Sequence, residues 1–175
     1  MPDNHDRKKE DSVRKLAHLA LLIALAVLMG YVESLLPLHF GIPGIKIGLC
    51  NIVILIVLLL YSPKEALLVS AARILVIGFL FGSLFSILYS MAGAVLSILV
   101  MAVLMRTGRF GLMGISACGG AAHNIGQLLV ARLVLPGLPL LWYTPVLMIA
   151  GILTGVLIAF LVYEVMKRIG NGRTI

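Results

Sequence analysis

Gly119-Gly120-Ala121-Ala122-His123-Asn124-Ile125-Gly126-Gln127 places three polar side chains inside an otherwise apolar stretch. A helix turns about 100° per residue, so His123 and Gln127 lie about 40° apart and Gln127 and Asn124 about 60° apart, and one face can carry all three. Asparagine and glutamine offer paired donors and acceptors and histidine a titratable nitrogen. Such a set suits reading the edge of a heterocycle or quinone-like ring. The same groups also hold helices together by hydrogen bonds in apolar surroundings. Residue type leaves both roles open for these three, and for Asn51.

The elements that must position them are apolar helices. Of the 175 residues, 61% are hydrophobic and 12% charged, against roughly 45–50% and 25% in ordinary soluble domains. A large soluble domain is excluded, and the expected fold is an all-α integral membrane bundle. Residues 1–15 are polar, with five Lys/Arg and four Asp/Glu, and are expected as a solvated tail. The apolar segments continue far beyond a signal peptide's length, so the first run is expected to stay as a helix. Hydropathy with Gly/Pro punctuation gives six spans, about 16–36, 46–61, 64–80, 83–105, 112–135 and 143–167, followed by a short tail at 169–175. The breaks fall at Pro37 to Gly44, at Tyr61 to Lys64, at Phe81-Gly82-Ser83, at Arg106 to Gly111 and at Pro136 to Pro139, where proline and glycine interrupt helix geometry. With the amino terminus cytoplasmic, eleven of the fourteen Lys/Arg fall on inside segments and none in the outside loops, so six spans with both termini cytoplasmic satisfy the positive-inside rule. The net charge of +7 thereby has an explanation in topology and anionic lipid, and nucleic acid is not an expected partner.

The three remaining cations, Lys46, Arg73 and Arg132, lie with Glu33 in or at the edges of apolar segments. A charge there is costly unless paired, snorkelled or hydrated. Either Glu33 forms a structural pair with one cation while the others snorkel, or the group lines an outward-facing pocket whose surplus positive charge suits an anionic or electron-rich ligand. Small residues recur four apart at Ala20 and Ala24, at Gly93 and Ser97, and at Gly151 and Gly155, a spacing that lets helices approach closely. Internal packing is the expectation for the last two pairs.

Several chemistries lack their residues. There is no GxxxxGK[ST] loop, so any ATP drive must come from a partner. The only aspartates, Asp3, Asp6 and Asp11, lie in the polar tail, which leaves no aspartate-rich diphosphate-magnesium site in the helices. Cys50 and Cys118 have no zinc spacing and are expected as packing thiols, and neither His18 nor His39 has a metal set around it. No nucleophile elbow or H-E-x-x-H helix occurs. An enzyme, a resident cofactor and a metal site are all unexpected.

Taken together, Ala20 to Ala24 within LALLIALAVLMGYVESLLP, IPGIKIGLCNIVIL (42–55), KEALLVSAARILVIGFLFGSLFSILYS (64–90) and GGAAHNIGQLLVARL (119–133) resemble the Gx transporter family, often labelled heptaprenyl diphosphate synthase component I. The resemblance spans about residues 14–168. That family is grouped with the substrate-binding S components of energy-coupling factor (ECF) transporters. The resemblance implies a six-helix subunit of the bacterial cytoplasmic membrane that captures a vitamin-like compound outside and joins a transmembrane coupling protein and two ATPases. Ala20 and Ala24 match the helix-one face that docks on the coupling protein. The resemblance also implies a pocket toward the outer side, formed by helices four to six and covered by the loop after helix one, so that residues 37–44 become a lid. His123, Asn124 and Gln127 would lie in or beside that pocket, with Arg73, Lys46, Glu33 and Asn51 as further candidate contacts. No motif diagnostic of thiamine, riboflavin, biotin or folate is present. A flavin, or a quinone or isoprenoid precursor, fits the residue types. The alternative takes the family label literally, as a membrane accessory presenting lipid-like substrate to a soluble prenyl diphosphate synthase, with Arg73, Lys46 and Arg132 holding a diphosphate.

Overall fold

A computed structural model describes residues 4–35, 48–134, 142 and 144–170. They contain six helices: α1 (Asn4–Leu35), α2 (Leu49–Leu60), α3 (Pro63–Phe81), α4 (Leu84–Thr107), α5 (Leu112–Val134) and α6 (Thr144–Arg168). No strand occurs among the described residues. The expected lid, residues 37–44, and Lys46 lie outside them.

The helix boundaries follow from local chemistry. Ser62 caps α3: the Lys64 N–H donates to Ser62 Oγ at 3.2 Å, the Ser62 hydroxyl donates to the Glu65 carboxylate, and Pro63 sits where its missing N–H costs nothing. The break at Gly82-Ser83 is real, since the Ser86 N–H donates to Ser83 Oγ at 3.2 Å and so starts α4 anew. Gly108, at φ 63°, closes α4 in a left-handed conformation that suits glycine.

One expectation changes. The polar segment expected as a tail is already helical from Asn4 and runs into the first apolar segment without interruption. Its good helix formers and its i,i+4 pairs, Arg7 with Asp11, Glu10 with Arg14 and Asp11 with Lys15, explain this. Apolar periodicity is not needed for a solvated helix, and residues 9–18 are all exposed, as a tail would be.

Among the described residues three helices are long and apolar enough to cross a membrane, over Lys9–Leu35, Leu84–Thr107 and Thr144–Arg168. By contrast α3 carries Lys64, Glu65 and Arg73, α5 carries the polar midsection, and α2 has only 12 residues. The bundle's outer surface is apolar: Leu28, Phe79, Leu99, Leu129 and Leu153 are all exposed, a surface that suits lipid better than water.

Helices α4, α5 and α6 form the most extensively packed unit, with α5 between its two neighbours, while α1, α2 and α3 form a second group that meets the first through α3 on α4 and α2 on α6. The larger core cluster, including Leu19, Val57, Val69, Met101, Ile115 and Val162, draws on all six helices. It occupies the end where α1 enters and α6 leaves. A smaller cluster, Ile74, Ile87 and Ala94, serves the opposite end. Lys15, Lys64, Arg106, Arg109, Lys167 and Arg168 all gather at the first end. There Lys15 Nζ pairs with Glu65 Oε1 at 2.5 Å and Tyr61 Oη lies 3.3 Å from His18 Nδ1, tying α1 to the α2–α3 corner.

Candidate functional site

Midway along the bundle, at the seam between the two helix groups, lies a cavity of about 30 Å³. Asn51 of α2, Ser70 of α3, Ser97 of α4, Ser116 and His123 of α5 give it polar edges, and Ile54, Leu55, Ile98, Met101 and Ile158 give it apolar walls. Among the described residues no Lys, Arg, Asp or Glu lines it. Each water needs roughly 10–15 Å³ of such space, so in this conformation the cavity holds about two. Toward the basic end it is stopped by the main core, where Val57, Met101 and Val162 pack.

The sequence cluster on α5 divides between two neighbours. His123 lines the cavity. Gln127 is buried on the α4 side, where a Cβ on Gly93 would lie 2.8 Å from its Cγ. Asn124 turns to α6 instead, its Nδ2 donating to the Leu147 carbonyl at 2.5 Å. Because α5 is flanked on both sides, the angle between His123 and Asn124 separates them, and Asn124 and Gln127 do not line the cavity. Near Asn124 the α5 and α6 backbones touch: a Cβ on Gly151 would lie 2.6 Å from the Gly120 carbonyl oxygen. Gly151, Gly155 and Gly93 thus serve internal packing, as their spacing implied.

The embedded charges do not converge. Glu33 accepts the Gly48 N–H on Oε1 at 2.6 Å and forms no ion pair among the described residues. Arg73 lies on α3 beside Gly30 of α1, its Cγ 3.9 Å from where a Gly30 Cβ would be, and its buried Nε has no hydrogen-bond partner among the described residues. It does not line the cavity. Arg132 is exposed in the last turn of α5, where a cation suits the helix dipole. Ala20 and Ala24 stand exposed on α1. Ser70 and Ser116 escaped sequence reasoning, and Ser97, expected there only as a packing residue beside Gly93, lines the cavity as well; all three are buried. Ser116 Oγ donates to the Gly155 carbonyl at 2.7 Å, leaving its lone pairs available.

A family model described as heptaprenyl diphosphate synthase component I matches residues 22–165. The chain belongs to that family. The match runs from within α1 almost to the end of α6 and takes in every residue lining the cavity. No curated protein and no solved structure matched the chain.

Proposed function

We propose that this protein is a six-span subunit of the bacterial cytoplasmic membrane, with both termini cytoplasmic, that binds a small compound as the S component of an ECF-type importer. The observation that carries the reading is the cavity: neutral polar groups from four helices face one another inside an apolar bundle, and the main core closes the path to the basic end. A flavin or a quinone precursor has the ring edge that Asn51, His123 and the serines could hydrogen-bond, and the apolar walls suit the uncharged chain of an isoprenoid precursor. The gathering of basic residues at one end supports the orientation. Ala20 and Ala24, exposed on α1, serve as the docking face for a transmembrane coupling protein, and two ATPase subunits supply the energy. The chain itself performs no catalysis.

The second reading follows the family description: a membrane component assisting a heptaprenyl diphosphate synthase. Arg73, whose buried Nε has no partner among the described residues, is the observation in its favour, as a cation available to a diphosphate. The neutral cavity weighs against a diphosphate within it. Affinity purification from native membranes separates the two. Copurifying ATPases and a membrane coupling protein support the importer; a soluble prenyl synthase supports the second reading instead.

A further inference from the structure

We propose that Glu33 is a positioning residue: by holding the amino terminus of α2 it sets Asn51 against the cavity, acting on the ligand without touching it. This rests on the reading of the cavity as a ligand site. The first N–H groups of a helix have no partners within it, and Gly48, the residue before α2, has no side chain to cap them. A carboxylate from another helix takes one of them instead. Glu33 Oε1 takes the Gly48 N–H at 2.6 Å, and the Cys50 thiol lies 3.7 Å from Glu33 Oε2. The negative charge also faces the positive end of the α2 dipole.

From this anchor the path to the cavity is short. Gly48 is left-handed, φ 75° and ψ 34°, and the Asn51 N–H donates to its carbonyl at 2.8 Å. A Cβ on Gly48 would lie 3.0 Å from Asn51 Nδ2, so the carboxamide packs on a backbone that must be bare. Asn51 then lines the cavity. Without Glu33, the Gly48 N–H loses its acceptor in apolar surroundings, the first turn of α2 frays, and Asn51 leaves its place.

The test uses the full chain in lipid nanodiscs with Cys118→Ser, which leaves buried Cys50 as the single thiol. Glu33→Ala is expected to raise the N-ethylmaleimide labelling rate of Cys50 by about tenfold or more, as local opening exposes it. Glu33→Gln keeps an oxygen for the Gly48 N–H and is expected to stay within about threefold of the parent. Equal rates in the parent and Glu33→Ala overturn the proposal. Should Glu33→Ala not fold, Glu33→Asp, its carboxylate drawn back by one methylene, decides in the same assay: a raised rate supports the proposal and an unchanged one overturns it.

Riboflavin quenching supplies the readout that a merely structural role would not move. Glu33→Ala and Asn51→Ala are each expected to weaken riboflavin binding by about tenfold, and the double variant no further than Asn51→Ala alone, because one acts through the other. Additive losses overturn the positioning role. Riboflavin binding that is absent, or indifferent to Asn51→Ala, removes the ligand reading of the cavity and leaves the thiol rates to decide the role of Glu33.

Discussion

Asn124 and Asn51 are the same residue type with different surroundings, and the difference is measurable. Asn124 spends its amide on the Leu147 carbonyl between α5 and α6, so Asn124→Ala is expected to cost about 1 kcal/mol of stability with little change in ligand affinity. Asn51→Ala and His123→Ala remove groups that face the cavity and are expected to weaken binding by about 1–3 kcal/mol each; thermal unfolding and equilibrium dialysis with riboflavin distinguish the two patterns. Glycine at 151 allows a sharper contrast. Gly151→Ala directs a methyl toward the Gly120 carbonyl oxygen at 2.6 Å, whereas Gly114→Ala would meet nothing nearer than Phe110 at 3.8 Å. The first is expected to destabilise the bundle by about 1–3 kcal/mol and the second to leave unfolding unchanged. The polar set on α5 was legible in the sequence, but its division was not, since helical angles do not say which neighbour stands on each side. Ser70, Ser97 and Ser116 were less legible still. A hydroxyl in an apolar helix can bond back to its own backbone, as Thr154 does to the Ala150 carbonyl at 2.9 Å, and sequence cannot separate that from one facing a cavity.

The helices themselves were largely legible, because their ends rest on local chemistry: Ser62-Pro63, Gly82-Ser83 and Gly108 act within a few residues of chain. The extension of α1 through the polar residues does not show as an apolar stripe; good helix formers and opposite charges spaced four apart favour it instead. Glu33 shows the other limit. Its partner at Gly48 is fifteen residues away, and nothing in either residue announces that a carboxylate on α1 caps α2. The long α1 presents Ala20 and Ala24 on its exposed side while its inner side holds α2 and α3, so one helix could join a partner to the cavity group. Replacing both alanines by leucine is expected to abolish copurification of the coupling protein and ATPases while riboflavin binding survives. Retention of the complex would count against the docking role.

At the scale of the whole molecule the cavity is smaller than its proposed ligand. Ligand pockets for drug-sized compounds span about 300–1,000 Å³, an order of magnitude beyond the 30 Å³ present. Enlargement is least costly where packing is least extensive. Helices α4 to α6 are bound by extensive glycine contacts, whereas α1 to α3 meet them chiefly through α3 on α4, where Gly78 faces Ile87, and through α2 on α6. Ligand binding is therefore expected to part these two groups. Spin labels at exposed Leu68 on α3 and exposed Leu153 on α6 should show a longer distance when riboflavin is bound, and an unchanged distribution with saturated ligand would contradict that motion. The central claim is that the cavity at the seam holds the ligand. Its most direct test is native mass spectrometry of small molecules retained by the parent protein and by Ser70→Leu, whose larger side chain fills the cavity. The expected result is a bound heterocycle or quinone precursor in the parent and none in a folded Ser70→Leu protein; equal retention in both, or a prenyl diphosphate in the parent, would contradict the claim.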